Sequence, residues 1–380
     1  MAIANLLLSM SVTMLVPALP IWLMSTVNLD SQQTGLAMGA FAVGLFLPGA
    51  LCSYLVQHYR RNIVFLICVL VLAVSMTLPF YRLPVLHAFP LIIIWRTLQG
   101  VAFGLAQMVL TSTLVIDTCE SHQRTEANHS ATWFGRFALS LGPMFALLLM
   151  QLSGLIVPSP ITSPAMSTLN VFFLAMVCCI MAVVLVLFIH FPFRVPEDNL
   201  HIFSLDRFFL MSGLPLFFNL FLVTLAIGML MSLPVTIDAY GMVMVGFLLA
   251  LLAQRFVFCD AELKSEIISG LLLMVAALLI LLVAPQSPIS PVLIGLSVGV
   301  IGARYLLFFI KLSRHCQRGT SQSTYFLGWE TGLALGLALG YGVFYGQSES
   351  LLLTGVGLCV VALVVYHFFT HDWFMCNKNR

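Results

Sequence analysis

The chain has 380 residues, of which 61% are hydrophobic and only 8% charged, and its formal net charge is +2. A soluble domain of ordinary composition carries about 25% charged residues, so there is too little polar side chain here to cover a water-soluble protein of this length, and lipid is the solvent that the excess apolar surface requires. The near-neutral balance, with no basic block and no aromatic-interleaved basic patch, predicts no nucleic-acid partner.

A helix needs about 20 apolar residues to cross the hydrocarbon core, and only helices or closed barrels satisfy their backbone there. The apolar runs here are continuous, not alternating, which excludes a barrel. The expected fold is all-α: a polytopic membrane protein of twelve transmembrane helices. The first run, Met1 to about Met24, has no Lys or Arg before it and no small-x-small cleavage site after it. It is expected to stay as span 1 and not to be removed as a signal peptide, and the missing basic leader points to a start a few residues upstream. The first six spans are expected near 2–24, 33–57, 62–81, 88–114, 130–153 and 168–191, and the second six near 213–235, 237–258, 265–285, 290–312, 324–346 and 350–370. The connection from about His190 to Phe209 carries Pro192, Arg194, Pro196, Glu197, Asp198, Asp206 and Arg207. It divides the chain into an N-terminal six-helix bundle (1–191), a cytoplasmic linker (192–209) and a C-terminal six-helix bundle with a short cytoplasmic tail (210–380). Such a 6+6 plan is one of the internal-repeat architectures of secondary transporters. Short matches six helices apart make the bundles pseudo-symmetric. Leu55-Val56-Gln57-His58-Tyr59 pairs with Leu252-Ala253-Gln254-Arg255-Phe256, and the run from Ser130 to Arg136 pairs with the run from Ser323 to Glu330.

Basic residues set the orientation. With both termini cytoplasmic, inner loops and tail hold Arg60, Arg61, Arg124, Arg194, Arg207, Arg255, Lys264, Lys311, Arg314, Arg318, Lys378 and Arg380, which is 12 of the 16, and outer loops hold only Arg82. Arg96, Arg136 and Arg304 fall inside spans. The nine cysteines show no metal spacing and are expected as free thiols, and no metal or other cofactor is expected. Asn128-His129-Ser130 fits a glycosylation pattern but lies on the inner side and is discounted.

An ionisable side chain inside the bilayer is costly unless it is paired or faces water, so Arg96, Arg304 and Glu330 are the first functional candidates. Arg304 and Glu330 both lie about 12 Å from the inner ends of consecutive spans at 1.5 Å rise per residue, a depth that permits an ion pair, structural or lining a transport path. Arg96 has no acidic residue inside spans 3, 4 or 5. Asp117 is about 32 Å further along the helix and serves the inner loop. Gly328, Gly332, Gly336 and Gly340 form a stripe on span 11, chiefly a packing signal. Asn5, Gln107, Asn219 and Trp95 are candidates for substrate contact, with helix–helix hydrogen bonding or packing as the alternative for each. Trp133, Tyr325 and Trp329 are open to the same two readings. A membrane-embedded enzyme would need clustered acids and histidines at one face. Asp117, Glu120, His122 and His129 are the only such group, and an inner loop explains them. The Gly-x-x-x-x-Gly-Lys-Ser/Thr loop of an ATP-driven pump does not occur.

The plan and three motifs resemble the major facilitator superfamily, and within it the twelve-span drug:proton antiporter exporters. The resemblance covers nearly the whole chain. The family's Gly followed by Leu-x-Asp-Arg-x-Gly-Arg-Arg is met by Gly49 and then Leu55-Val56-Gln57-His58-Tyr59-Arg60-Arg61-Asn62. Arg61 keeps a basic position. Gln57 replaces the aspartate, His58 the first arginine and Arg60 the glycine. Arg-x-x-Gln-Gly is met in full by Arg96-Thr97-Leu98-Gln99-Gly100. The antiporter pattern ending in Gly-Pro is partly met by Gly142 and Pro143, with Gly135 before them. The resemblance implies alternating access of two six-helix halves about a midplane cavity lined by spans 1, 4, 7 and 10. It implies proton coupling through Arg96 and export through Gly142 and Pro143; Glu330, as a carboxylate inside a span, is the residue able to take up the proton. It implies gating by Gly49, Gln57, Arg60, Arg61, Gln99 and Gly100, with an inner gate less dependent on an ion pair because Gln57 is uncharged. The expected partners are a small organic solute, a proton and membrane lipid, and the expected setting is a monomer in a bacterial inner membrane. Solute uptake by symport or uniport on the same fold is the alternative.

Overall fold

The computed structural model describes residues 1–81, 88–115, 119–120, 123–156, 164–189, 203–205, 207–258, 262–314 and 317–378. The sequence expectations for Arg82, Asp117, His122, Arg194, Glu197, Asp198, Asp206, Cys259, Cys316 and Arg380 lie outside the described residues. Helices account for all the regular structure, and no strand occurs among the described residues. In chain order they are α1 (Ala2–Ser25), α2 (Ser31–Phe46 with Gly49–His58), α3 (Arg61–Thr77), α4 (Phe89–Leu114), α5 (Arg124–Ile156) and α6 (Pro164–Leu187). There follow α7 (Leu214–Met231), α8 (Ile237–Phe256), α9 (Leu263–Val283), α10 (Ile289–Leu312), α11 (Arg318–Gly342) and α12 (Ser348–Asn377).

Ten of these helices are long and apolar enough to cross a membrane, and α2 is an eleventh if its two bent parts count as one span. The α2 parts are bent by 57°, where the sequence predicts one straight span. Pro48 sits at the break: it supplies no N–H, and its ring crowds the carbonyl one turn back. The twelfth, α11, has 25 residues but opens on the polar run Thr320–Thr324 and carries Glu330 and Thr331, which lowers its hydropathy. That polar run is buried.

The chain divides into two compact units, Met1–Phe208 and Phe209–Arg380. In the first, α1 packs on α5 and α6, α2 on α4, and α3 on α4 and α6. In the second, α7 packs on α11 and α12, α8 on α10, and α9 on α10 and α12. Each of these five pairings in the first unit recurs in the second between helices six places on.

Glycines set the closest crossings. A Cβ on Gly44 would meet the Thr97 carbonyl and lie 2.8 Å from Gly100 Cα, and one on Gly100 would meet the Phe41 carbonyl. In the second unit a Cβ on Gly246 would meet the Val292 carbonyl and one on Gly295 the Val243 carbonyl. Each blocking carbonyl stands three residues before the facing glycine, so α2–α4 and α8–α10 are the same crossing built twice. Likewise Thr13 Oγ1 donates to the Ala138 carbonyl (2.8 Å) and fills the space beside Gly142, while Thr224 Oγ1 donates to the Gly328 carbonyl (3.2 Å) and fills the space beside Gly332. These contacts put α5 and α11 in register at 332 − 142 = 190 residues. The Ser130–Ser323 match, offset by 323 − 130 = 193, is therefore one helical turn out of register. A shift of three residues keeps nearly the same helix face, which is why the two runs look alike.

Candidate functional site

The α2–α4 crossing brings α4 close enough for Arg96 to reach the backbone of α2. Its Nε donates to the Ala37 carbonyl (3.4 Å), and its guanidinium lies 5.0 Å from the centre of the Phe41 ring, a cation–π contact. Nη1 donates to Gln99 Oε1 at 2.6 Å. Arg96 and Gln99 are three apart, hence on one helix face. Gln99 Nε2 in turn donates to Ser75 Oγ (3.2 Å) and to Met76 Sδ (3.6 Å) of α3. Arg96 is 4% exposed and Gln99 fully buried. Among the described residues no carboxylate reaches Arg96, so a buried cation is held by neutral groups alone.

Beside it, Trp95 packs in a triad with Trp22 (ring centres 6.0 Å) and Phe172 (6.5 Å), and its Nε1 donates to the Ser75 carbonyl at 3.0 Å. Trp95 is thus a helix-packing residue in this conformation. Further along α4, Gln107 is buried, and its Oε1 has no hydrogen-bond partner among the described residues. The Gln107 backbone carbonyl accepts from Thr111 Oγ1 (2.8 Å), and Ser112 and Thr113 bond back to the Met108 and Val109 carbonyls in the same way. There the helix widens to a π turn, Leu110–Leu114. Three consecutive hydroxyls bonding to the preceding turn compete with the regular ladder and deform it. The signal, Thr111-Ser112-Thr113, is plain in the sequence.

Asn5 Nδ2 donates to the Ala131 carbonyl (2.7 Å) beside Gly135, which joins α1 to α5. Gly142 makes room for Thr13, and Pro143 is buried within the unbroken α5. Arg136 lies over the Trp133 ring at 5.3 Å. At the break in α2 the ring of Phe208 lies against Gly49 and meets Phe46 edge-on (6.3 Å). In the amide orientation that satisfies both neighbours, Gln57 Oε1 accepts from Arg207 Nε (2.8 Å) and Nη2 (3.2 Å), and its nitrogen donates to Ser53 Oγ. Arg207 adopts φ 64°, unusual for a residue with a Cβ. The position that is aspartate in the motif therefore still holds an arginine, through a neutral acceptor. Arg60 is exposed and Arg61 opens α3.

In the second unit Arg304 does not pair with Glu330. Its ion-pair partner is Glu266 of α9. Ser297 donates to the Gly270 carbonyl (2.7 Å) and Ile301 packs on Gly270. Positions 297, 301 and 304 follow at four and seven, one helix face, and that face looks at α9. Depth alone gave the wrong partner because it says nothing about azimuth. Glu266 is fully buried, with Oε1 unpartnered among the described residues. Glu330 is half-buried, and no hydrogen bond or ion pair reaches it among the described residues. It lies two residues from Gly328 and Gly332, both of which face α7, so it points to the other side of α11. The four-glycine stripe packs along its length on α7, against Phe217, Thr224, Gly228 and Ser232. Asn219 Nδ2 donates to the Ala362 carbonyl (2.9 Å) and its Oδ1 accepts from Tyr305, tying α7 to α12 and α10. No group of three metal-ligating side chains occurs among the described residues, and all seven described cysteines are free.

An all-helical, polytopic membrane protein of two internally repeated units, with isolated charges inside its helices, is the class these features define. The sequence pattern of the Major Facilitator Superfamily matches residues 1–259, and the chain belongs to that superfamily, whose members are transporters of small molecules. Among solved structures it is similar to the inward-open xylose transporter XylE of E. coli, with TM-score 0.72 at 14% identity over 97% of this chain and 94% of that one. It is similar to the human organic anion transporter MFSD10, with TM-score 0.67 at 16% identity over 96% and 97%. It is also similar to the E. coli fucose:proton symporter FucP, with TM-score 0.64 at 12% identity over 97% of each chain. At these identities the likeness is one of fold. No curated protein sequence matches the chain.

Proposed function

We propose that this transporter moves a small organic solute by alternating access, coupled to protons, in the direction of export, with both termini cytoplasmic. The observation that carries the reading is Glu330, a carboxylate within a helical span that no cation or donor among the described residues satisfies. A carboxylate kept inside a bilayer without a partner serves best as a group that gains and loses a proton. Arg96, a cation buried among neutral partners inside the first unit, is the second coupling candidate. Export rests on Gly142 and Pro143, whose motif is partial. Symport is the second reading, favoured by the fold likeness to a fucose:proton symporter.

The test is flux into and out of proteoliposomes under an imposed pH gradient, with ethidium, fluorescein, uridine and xylose as probes spanning cationic, anionic and neutral solutes. Gradient-driven flux that Glu330→Gln abolishes supports coupling through Glu330. Flux that ignores the gradient, or a Glu330→Gln variant that keeps full coupling, rules it out. The direction of accumulation separates export from symport.

A further inference from the structure

Ser75 lies on α3 and belongs to none of the motifs. It is nonetheless the last member of a directed chain that ends on Arg96. Its hydroxyl donates to the Leu72 carbonyl at 2.6 Å. A serine hydroxyl has one hydrogen, so Oγ is left only as an acceptor toward α4. Gln99 can answer an acceptor only with its nitrogen, and Nε2 donates to Ser75 Oγ at 3.2 Å. That fixes which way the amide faces: the carbonyl oxygen is turned to Arg96, whose Nη1 donates to it at 2.6 Å. The backbone of Ser75 is held in place independently, because Trp95 Nε1 donates to its carbonyl at 3.0 Å. Ser75, Gln99, Trp95 and Arg96 are all buried, so water does not compete for these bonds.

We propose that Ser75 is a positioning residue for Arg96, acting by setting the orientation of the Gln99 amide. The proposal rests on the coupling role given to Arg96 above. The two ends of a glutamine amide have nearly the same shape. Without the serine hydroxyl, only the weak acceptor Met76 Sδ (3.6 Å) holds the nitrogen end. The amide is then held chiefly at its oxygen end, by Arg96, and is free to swing with the guanidinium instead of anchoring it. Arg96 keeps its bond to Gln99 but loses the fixed anchor on α3 that sets its position over Phe41.

The experiment is gradient-driven flux in proteoliposomes, measured as a function of pH with the four probes. Ser75→Ala is expected to lower coupled flux by about two- to tenfold, the range set by one neutral buried hydrogen bond, and to shift the pH profile in the same direction as Gln99→Leu. Ser75→Thr keeps the hydroxyl and restores the profile. Ser75→Cys, a weaker acceptor of similar size, gives an intermediate profile and serves where Ser75→Ala folds poorly. The decisive arm repeats Ser75→Ala in a Gln99→Glu background. A carboxylate presents an acceptor to Arg96 whichever way it turns, so there the serine has nothing to orient and its loss leaves the pH profile where Gln99→Glu put it. An equal effect of Ser75→Ala in both backgrounds, or none in either, overturns the proposal and leaves Ser75 as packing. If no probe shows gradient-driven flux, or Arg96→Lys and Glu330→Gln both behave as the unaltered protein, the coupling reading itself falls, and the role of Ser75 with it.

Discussion

Replacing Gly100 by alanine puts a methyl group where α2 has only backbone. The added Cβ would press on the Phe41 carbonyl and lie 3.0 Å from Gly44 Cα and 3.1 Å from the Phe41 carbonyl carbon. None of these atoms can rotate away, so α2 and α4 must part along their crossing. Overpacking of a filled core costs about 1–3 kcal/mol, and a contact that only backbone movement relieves belongs at the upper end. Alanine recovers about 1 kcal/mol through helix propensity. The net loss is then about 2 kcal/mol, which for a unit of this size lowers the melting temperature by roughly 4–8 °C. Two comparisons isolate the cause. Gly295→Ala meets the Val243 carbonyl at the matching crossing and should lose a similar amount, while Gly357→Ala on α12 meets nothing within 4 Å and should gain slightly. Thermal unfolding of the purified protein in detergent, followed by tryptophan emission, reads all three. Gly100→Ala melting together with Gly357→Ala would refute the idea that backbone contact sets this crossing.

Removing Arg304 leaves Glu266 buried and uncompensated, so Arg304→Met should destabilise by about 3–5 kcal/mol, and adding Glu266→Gln should recover much of that; the same melting assay reads both. Glu330 has no partner to lose among the described residues, so Glu330→Gln should melt at or above the unaltered protein while it alters coupling, whereas Glu266→Gln alone should melt lower. Gln57→Glu turns the bond to Arg207 into an ion pair at a partly exposed position. Such pairs contribute about 0–1 kcal/mol, so its melting temperature should rise by a few degrees at most, and Gln57→Leu should lower it.

The apolar runs made the helices legible, because hydrocarbon demands a long apolar helix wherever the chain crosses. Their ends were less so. The Pro48 break in α2 and the π turn at Leu110–Leu114 leave the apolar pattern intact, and only the proline and the hydroxyl run betray them. Partners were the least legible. Arg304 lies at the expected depth, yet it turns to α9 because Ser297 and Ile301 fix that face. Asn5 and Asn219 were visible as polar residues in apolar helices, and both proved to be bonded to backbone across a helix contact. Ser75 was hidden for the opposite reason: a serine in a span is ordinary, and only the direction of its hydrogen bond gives it meaning.

The internal repeat separates packing from chemistry within this one chain. Aligning the crossings sets Gly100 opposite Gly295 and Gly104 opposite Gly299, so Arg96-Thr97-Leu98-Gln99-Gly100 stands against Pro291-Val292-Leu293-Ile294-Gly295. Leucine and glycine recur, and the α8–α10 crossing closes as tightly as α2–α4 with proline and isoleucine where the first unit has Arg96 and Gln99. The crossing therefore needs neither the cation nor the amide. The same comparison treats α5 differently. Gly142 has a counterpart in Gly332, and both make room for a threonine, while Pro143 is matched by Leu333. Gly142 thus serves a helix contact, as Gly332 does, and the proline is the member of the pair with no counterpart in the second unit. A buried cation costs several kcal/mol, and the α8–α10 crossing closes with no cation at the matching position. That is the strongest ground for the proposal that Arg96, with the Gln99 and Ser75 that hold it, acts in transport.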